Sequence, residues 1–272
     1  MNRSSQKNSR RLFVQPLESR KMMAGDVTVE VDYSGSRIDV EITGDHLDNG
    51  IEVREISDIL EIRGLQHDGT ATTVNGQDAV LIPTKSFSGG TWRTLDDLVI
   101  KLGDGDDYAL IRDVNMQHHS HSDLIVETGK GDDRITMMDT NVLRDMKLRD
   151  HSWQDGDDYW WMRNVNVGRK LEADMGDGND VFVASYTDAD ELDIETGRHD
   201  DYVSLFGIDV DELEVDLDQG DDTLRIDASS ANTADLDGGQ GGNDRLDVNG
   251  RGFYANTFDA VLASDDFEVI LS

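Results

Sequence analysis

Apolar and polar residues alternate along this chain on both sides of a recurring Gly-Asp segment. Counting back from the last acid of each segment, Leu98, Leu124, Leu171, Leu192 and Leu213 share one apolar position, and Ile100, Val126, Ala173, Ile194 and Val215 the next. Beyond the segment come Ala109, Ile135, Trp160, Phe182, Val203, Leu224 and Leu246, then Ile111, Met137, Met162, Ala184, Leu205, Ile226 and Val248. A period of two residues predicts strands with one buried face. The clearest segments are Gly103-Asp104-Gly105-Asp106-Asp107, Gly129-Lys130-Gly131-Asp132-Asp133 and Gly176-Asp177-Gly178-Asn179-Asp180, and weaker copies end at Asp158, Asp201, Asp222 and Asp244. Successive final acids lie 26, 25, 22, 21, 21 and 22 residues apart.

A near-constant period of this length marks stacked repeats. Helical repeats would show apolar residues at i, i+3, i+4 and i+7, which these segments lack. The expected fold is therefore all-β: a single-stranded parallel β-helix, or solenoid, with about 21–26 residues per coil. Four regions follow. Residues 1–25 read as a basic targeting segment, and 26–94 as weaker coils or a cap of antiparallel strands. Residues 95–250 carry the acidic-turn repeats, and 251–272, with Phe253, Phe258 and Val261, close the far end.

Charge sharpens this picture. The net charge is −33, and the first 24 residues carry six basic residues against one acid. So acidic a body excludes nucleic acid as a partner. The absence of cysteine excludes disulfide stapling and thiol chemistry. No run of 18 apolar residues predicts a transmembrane helix. Ser9-Arg10-Arg11-Leu12-Phe13 has the look of a twin-arginine signal, but Gln15, Pro16, Glu18, Arg20 and Lys21 stand where its apolar region belongs. The stretch from Leu12 to Gly25 instead resembles the Leu-Glu-Pro-Leu-Glu-x-Arg-x-Leu-Leu-Ala motif that opens many exported repeat proteins of planctomycete bacteria, departing from it at Gln15 and Met22-Met23. The resemblance implies a secreted protein or one of the cell envelope or surface.

Stacking puts acids of neighbouring coils about 4.8 Å apart. At that distance two like charges repel by roughly 0.9 kcal/mol in water and about 3.5 kcal/mol at an effective dielectric of 20. Counter-charge along this edge is expected, and Ca²⁺ suits ligands that are carboxylates and backbone carbonyls. The Gly-x-Gly-x-Asp-x-hydrophobic pattern of 103–109, 129–135 and 176–182 resembles the calcium-binding nonapeptide of RTX proteins, which differ in packing two motifs into a shorter coil. The resemblance implies Asp107, Asp133, Asp158, Asp180, Asp201, Asp222 and Asp244 as side-chain ligands, with carbonyls from Gly103, Gly105, Gly129, Gly131, Gly176 and Gly178. Asp104, Asp106, Asp132, Asp155, Asp157, Asp177, Asn179, Asp200, Asp218, Asp221 and Asn243 complete the candidate metal set.

Two other clusters stand out. His118-His119-Ser120-His121, near Asp113 and Asp123, has metal-ligand chemistry but reads first as a solvated loop. Tyr108, Tyr159, Trp161 and Tyr202 should face outward as an aromatic ladder, more simply explained by packing along the stack than by sugar binding. No nucleophile elbow, His-Glu-x-x-His or phosphate loop is present. The sequence points to a calcium-binding structural or adhesive protein with no catalytic residues, open to contact with cell surfaces, polysaccharide or its own copies. The rival is a polysaccharide lyase or hydrolase, with Arg112, Arg134 and Arg163 as its basic groups.

Overall fold

A computed structural model describes residues 25–67, 70–150, 156–248, 253–258 and 268–271. It is an all-β parallel solenoid of about seven turns, with coils about 22 residues apart. One coil shows how the sequence folds. Leu124–Lys130 approaches the Gly-Asp turn, and Arg134–Val142 leaves it. Asp139, at φ 49°, bends that second strand sharply, and Asn141 and Val142 begin the third side of the coil. The chain then rises to Met146–Arg149, which pairs in parallel with Leu124–Lys130.

The apolar positions read from the alternation form the core. Ala109, Ile135, Trp160, Phe182, Val203, Leu224 and Leu246 lie directly over one another through parallel registers, and all are buried. Trp160 and Met162 point inward. Leu98 pairs with Leu124, Leu124 with Met146, and Met146 with Leu171. Met146 and Leu148 thus fill core positions that counting back from Asp158 misses, because the approach to that turn is longer. The same holds for Ala234 and Leu236 before the longer turn at Asp244.

The first coil lies within 26–94. Arg37–Thr43 and Gly50–Glu55 pair in parallel with the strands on either side of Asp107, so residues 44–49 form a turn beneath 103–107. Around this coil the pattern becomes antiparallel. Asp26–Ser34 pairs with Arg37–Thr43, Ile59–Gly64 with Gly50–Glu55, and Ala79–Pro83 with Ile59–Gly64. Hairpin strands of this kind close a stack whose bare edge would otherwise recruit another strand. At the far end Phe253–Phe258 and Glu268–Leu271 each add a parallel strand. The basic start, Trp153 to Asp155, and Val261 lie outside the described residues.

Close stacking dictates glycine in the turns. A Cβ on Gly129 would stand 1.7 Å from Gly103 O, and one on Gly131 2.3 Å from Gly105 O. Gly129 also sits at φ 110°, where side chains are strained. Replacement of Gly129 by alanine should cost on the order of 3 kcal/mol or more, because backbone rather than a flexible side chain blocks the new methyl. Gly242→Ala, whose methyl would meet only Asp221 Oδ1 at 3.8 Å, should be close to neutral. Thermal melting checks this: equal melting temperatures for the two variants would refute direct turn-on-turn stacking.

Candidate functional site: two aspartate ladders in the turns

In a stacked turn the backbone cannot continue the regular ladder, and some N–H groups lose their carbonyl partners. Aspartate side chains take that place here. Asp133 Oδ1 accepts the Asp107 N–H at 2.7 Å, and Asp158 Oδ1 accepts the Asp133 N–H at 2.8 Å. Asp180, Asp201, Asp222 and Asp244 continue the series upward, each holding the N–H of its counterpart one coil below at 2.7–2.8 Å. The series begins at Asn49, whose N–H donates to Asp107 Oδ1 at 2.6 Å. This inner column is buried, with every member 3% exposed or less.

The neighbouring residue of each turn forms a second ladder with the opposite sense. The Asp132 N–H donates down to Asp106 Oδ1 at 3.1 Å, and the Asp157 N–H to Asp132 Oδ1 at 2.9 Å. Asn179 donates to Asp157, Asp200 to Asn179 and Asp221 to Asp200, through backbone N–H groups at 2.9, 3.3 and 2.9 Å. The Asn243 side chain reaches Asp221 Oδ2 at 3.0 Å. The column starts at Asp48, which accepts the Asp106 N–H. These side chains are exposed. Each turn is therefore tied upward by the inner acid of the next coil and downward by the outer acid of the previous one.

The two columns differ in charge. Burial drives the inner carboxyls up from the ordinary 3.8, against the pull of one backbone N–H each. Asp133 and Asp222 rise to about 7, Asp201 to about 8, Asp107 to about 9 and Asp158 to about 10. In Asp158 and Asp222 the second oxygen is buried without a hydrogen-bond partner, while Asn49, Thr128 and Thr196 side chains also act on Asp107, Asp133 and Asp201. In the outer column the backbone and side-chain N–H of Asn179 hold Asp157 below the ordinary value. Burial thus favours the protonated form of these inner carboxyls, while the outer acids face water.

The remaining candidate residues separate from these columns. Asp104 is paired with Lys130 Nζ and Asp177 with Arg198, each at 3.1 Å and each with the coil above. The carbonyls of Gly103, Gly105 and Gly176 lie against the glycines Gly129, Gly131 and Gly197 stacked on them. Asp218 takes a glycine's place at φ 60°, and its N–H bonds to Asp216. Asp155 is outside the described residues. The Arg134 guanidinium lies between the Tyr108 and Tyr159 rings, 5.9 and 5.0 Å from their centroids, so these aromatics pack along the stack. His119 meets Asp96 at 2.9 Å rather than Asp113 or Asp123.

A family model described as Planctomycete extracellular matches residues 8–27. No curated protein and no solved structure matches the chain. No helix among the described residues is long and apolar enough to cross a membrane. The family match places the resemblance in the opening segment, and it points to an exported protein.

The inner column has a measurable signature. Its carboxyls bind protons more tightly folded than unfolded, so the folded state holds more protons between pH 3.8 and the raised values. Stability contributed there is complete below about pH 4 and is lost as pH rises through about 7 to 10. The melting temperature in metal-free buffer should fall steadily from pH 5 to pH 9. Asp158→Asn, which keeps an oxygen for the Asp133 N–H and cannot ionise, should shrink that fall. A melting temperature that rises over this range would overturn the assignment.

Proposed function

We propose that this is an exported β-solenoid with a structural or adhesive role at the cell surface or in the extracellular matrix, whose outer acid column binds Ca²⁺. The observation that carries the reading is the row formed by Asp106, Asp132, Asp157, Asp200 and Asp221, exposed and set one coil apart except where Asn179 intervenes. Each spends Oδ1 on a backbone N–H; Asp106, Asp132, Asp157 and Asp200 keep a second oxygen for solvent or a cation, while Asp221 Oδ2 takes the Asn243 amide. Ca²⁺ tolerates the irregular oxygen sets that such a row offers. A divalent ion held between coils relieves the mutual repulsion of their carboxylates. Calcium then stiffens a stack that hydrogen bonds already define.

The rival enzyme reading draws less support. Arg112 is engaged by Glu52 at 2.7 Å, and Arg134 by two tyrosines. Arg163 lines a hollow with Asp139, Asn164 and Tyr186. Asn164 Nδ2 is itself bonded to Asp139 Oδ1 at 2.5 Å.

Calorimetric titration with CaCl₂ tests the proposal on the full chain. A variant with Asp132→Asn, Asp157→Asn, Asp200→Asn and Asp221→Asn should fold, because Asn179 already serves in this ladder as an amide. It should lose most of the calcium heat and most of the rise in melting temperature that calcium gives the unaltered protein. No calcium heat in the unaltered protein, or the same heat in the variant, would defeat the proposal.

A further inference from the structure

Far from the acidic turns, the pairing of the first coil with the second is interrupted. Leu95 faces Ile38 and Leu98 faces Val40, so Asp96 and Asp97 together oppose Asp39. An extra residue in one strand is a bulge, and bulges re-aim side chains. This one gathers three carboxylates whose nearest oxygens all lie within 4.8 Å of one another. Two ligands of one Ca²⁺, each bound at about 2.4 Å, stand no farther apart than that.

The cluster is not simply a solvated acidic face. The Asp96 side chain is 0% exposed, and its Oδ2 has no hydrogen-bond partner. Its nearest cation is Arg37 Nε, 3.6 Å away on a half-exposed side chain. Asp39 Oδ1 is likewise buried without a hydrogen bond. An orphaned buried carboxylate oxygen is costly unless something meets it.

The surroundings favour a cation. Asp32 directly opposes Asp39 across antiparallel strands, and Glu30 opposes Glu41, although like charges in that relation repel. Lys101 answers Glu41 at 2.9 Å. These acids and Asp97 line an open hollow of about 270 Å³ that leads from solvent to the cluster. Asp97 Oδ1 accepts the Asp123 N–H at 3.2 Å, and Asp123 is itself clamped by Arg144. Three carboxylates against the single guanidinium of Arg37 leave two negative charges, which one divalent ion cancels.

We propose that Asp39, Asp96 and Asp97 form a binding site for one hard divalent cation of the Ca²⁺ or Mn²⁺ class. The donors are carboxylate oxygens, which suit such ions, and the hollow supplies water for the remaining positions. His119 packs behind the site. Its Nδ1 is 2.9 Å from Asp96 Oδ1 and its Nε2 is 3.3 Å from Ser36 Oγ. Ser122 Oγ also reaches Asp96 Oδ1, at 3.4 Å. A hydrogen bond to a ligating carboxylate, such as that of Ser122, tunes metal affinity in this way. The site spans the first coil and the second, so an ion there ties the two together.

The test is titration of the full chain with MnCl₂, followed by electron paramagnetic resonance, with CaCl₂ as competitor. One Mn²⁺ should bind before any other and be displaced by Ca²⁺. Asp97→Asn and Asp39→Asn should each weaken that first site by about tenfold or more, and Ser122→Ala should weaken it as well. The fourfold asparagine variant of the outer turn column should leave it unchanged, which separates this site from calcium at the turns. Asp39 and Asp97 are partly exposed, so these variants can be checked for an intact fold by circular dichroism. Identical first-site binding in folded Asp39→Asn and Asp97→Asn would overturn the proposal, as would a first site abolished by the fourfold variant.

Discussion

The backbone N–H of a stacked turn must find an acceptor, and this constraint organises the molecule. Along the strands the neighbouring coil supplies a carbonyl. At the Gly-Asp corner it supplies an aspartate side chain. The Arg134 N–H bonds to the carbonyl of Asp107, while the Asp107 N–H bonds to the carboxyl of Asp133. Side chain and main chain thus alternate as acceptors at one corner, and they require adjacent turns to superimpose. Glycine follows from the same superposition, because carbonyls of one turn occupy the space a Cβ would need in the next.

The opposed senses of the two ladders explain why the motif needs two consecutive acids. An inner acid alone would satisfy one N–H per turn, its own N–H bonding to the coil above and its carboxyl to the coil below. The outer acid satisfies a second N–H per turn and links the same coils with donor and acceptor reversed. The cost is charge. Burial removes it from the inner column by favouring the protonated form. Lys130 on Asp104 and Arg198 on Asp177 remove part of it from the third turn position. On the flat sides, Arg144 holds Asp123 and Arg149 holds Glu172. Among the acids without a cationic partner are those of the outer turn column.

Much of this was legible in the sequence. Period-two alternation around a repeated Gly-Asp segment identified the core columns and the parallel solenoid, since both depend on regular spacing alone. The resemblance of Ile38–Ile42, the Gly44–Asn49 stretch and Ile51–Val53 to later repeats was visible too, and the structure makes them a coil. Less legible was the division of labour within each Asp-Asp pair. Two adjacent acids look alike in sequence, yet alternation sends Asp107 inside and leaves Asp106 outside. The burial of each final acid follows the same two-residue period as the strands and could have been read from it. The acids around Asp96 escaped notice because nothing local marks them. Their only trace is a break in alternation between Leu95 and Leu98, and their partner Asp39 lies some sixty residues away. His119 was conspicuous for its neighbours His118 and His121, but the loop carries it to Asp96 rather than to the acids nearest in sequence.

The ladder also bears on how such a chain becomes ordered after export. In a stack each coil contacts mainly its neighbours, so order spreads from a formed coil to the next. Here a finished turn presents specific unfilled positions to the incoming segment: an inner N–H awaiting a carboxyl and an outer carboxyl awaiting an N–H. The incoming Asp-Asp pair meets both at once, and a shift of register by one residue would put the charged outer acid inside. Pairing errors are therefore penalised electrostatically as well as sterically. At the start of the stack Asn49 carries an amide in the inner position, where the described residues hold no earlier coil to use a carboxyl, and its side chain instead bonds to Leu47 O at 2.6 Å. The antiparallel strands around it cover the first coil. The series thus has a neutral, capped beginning.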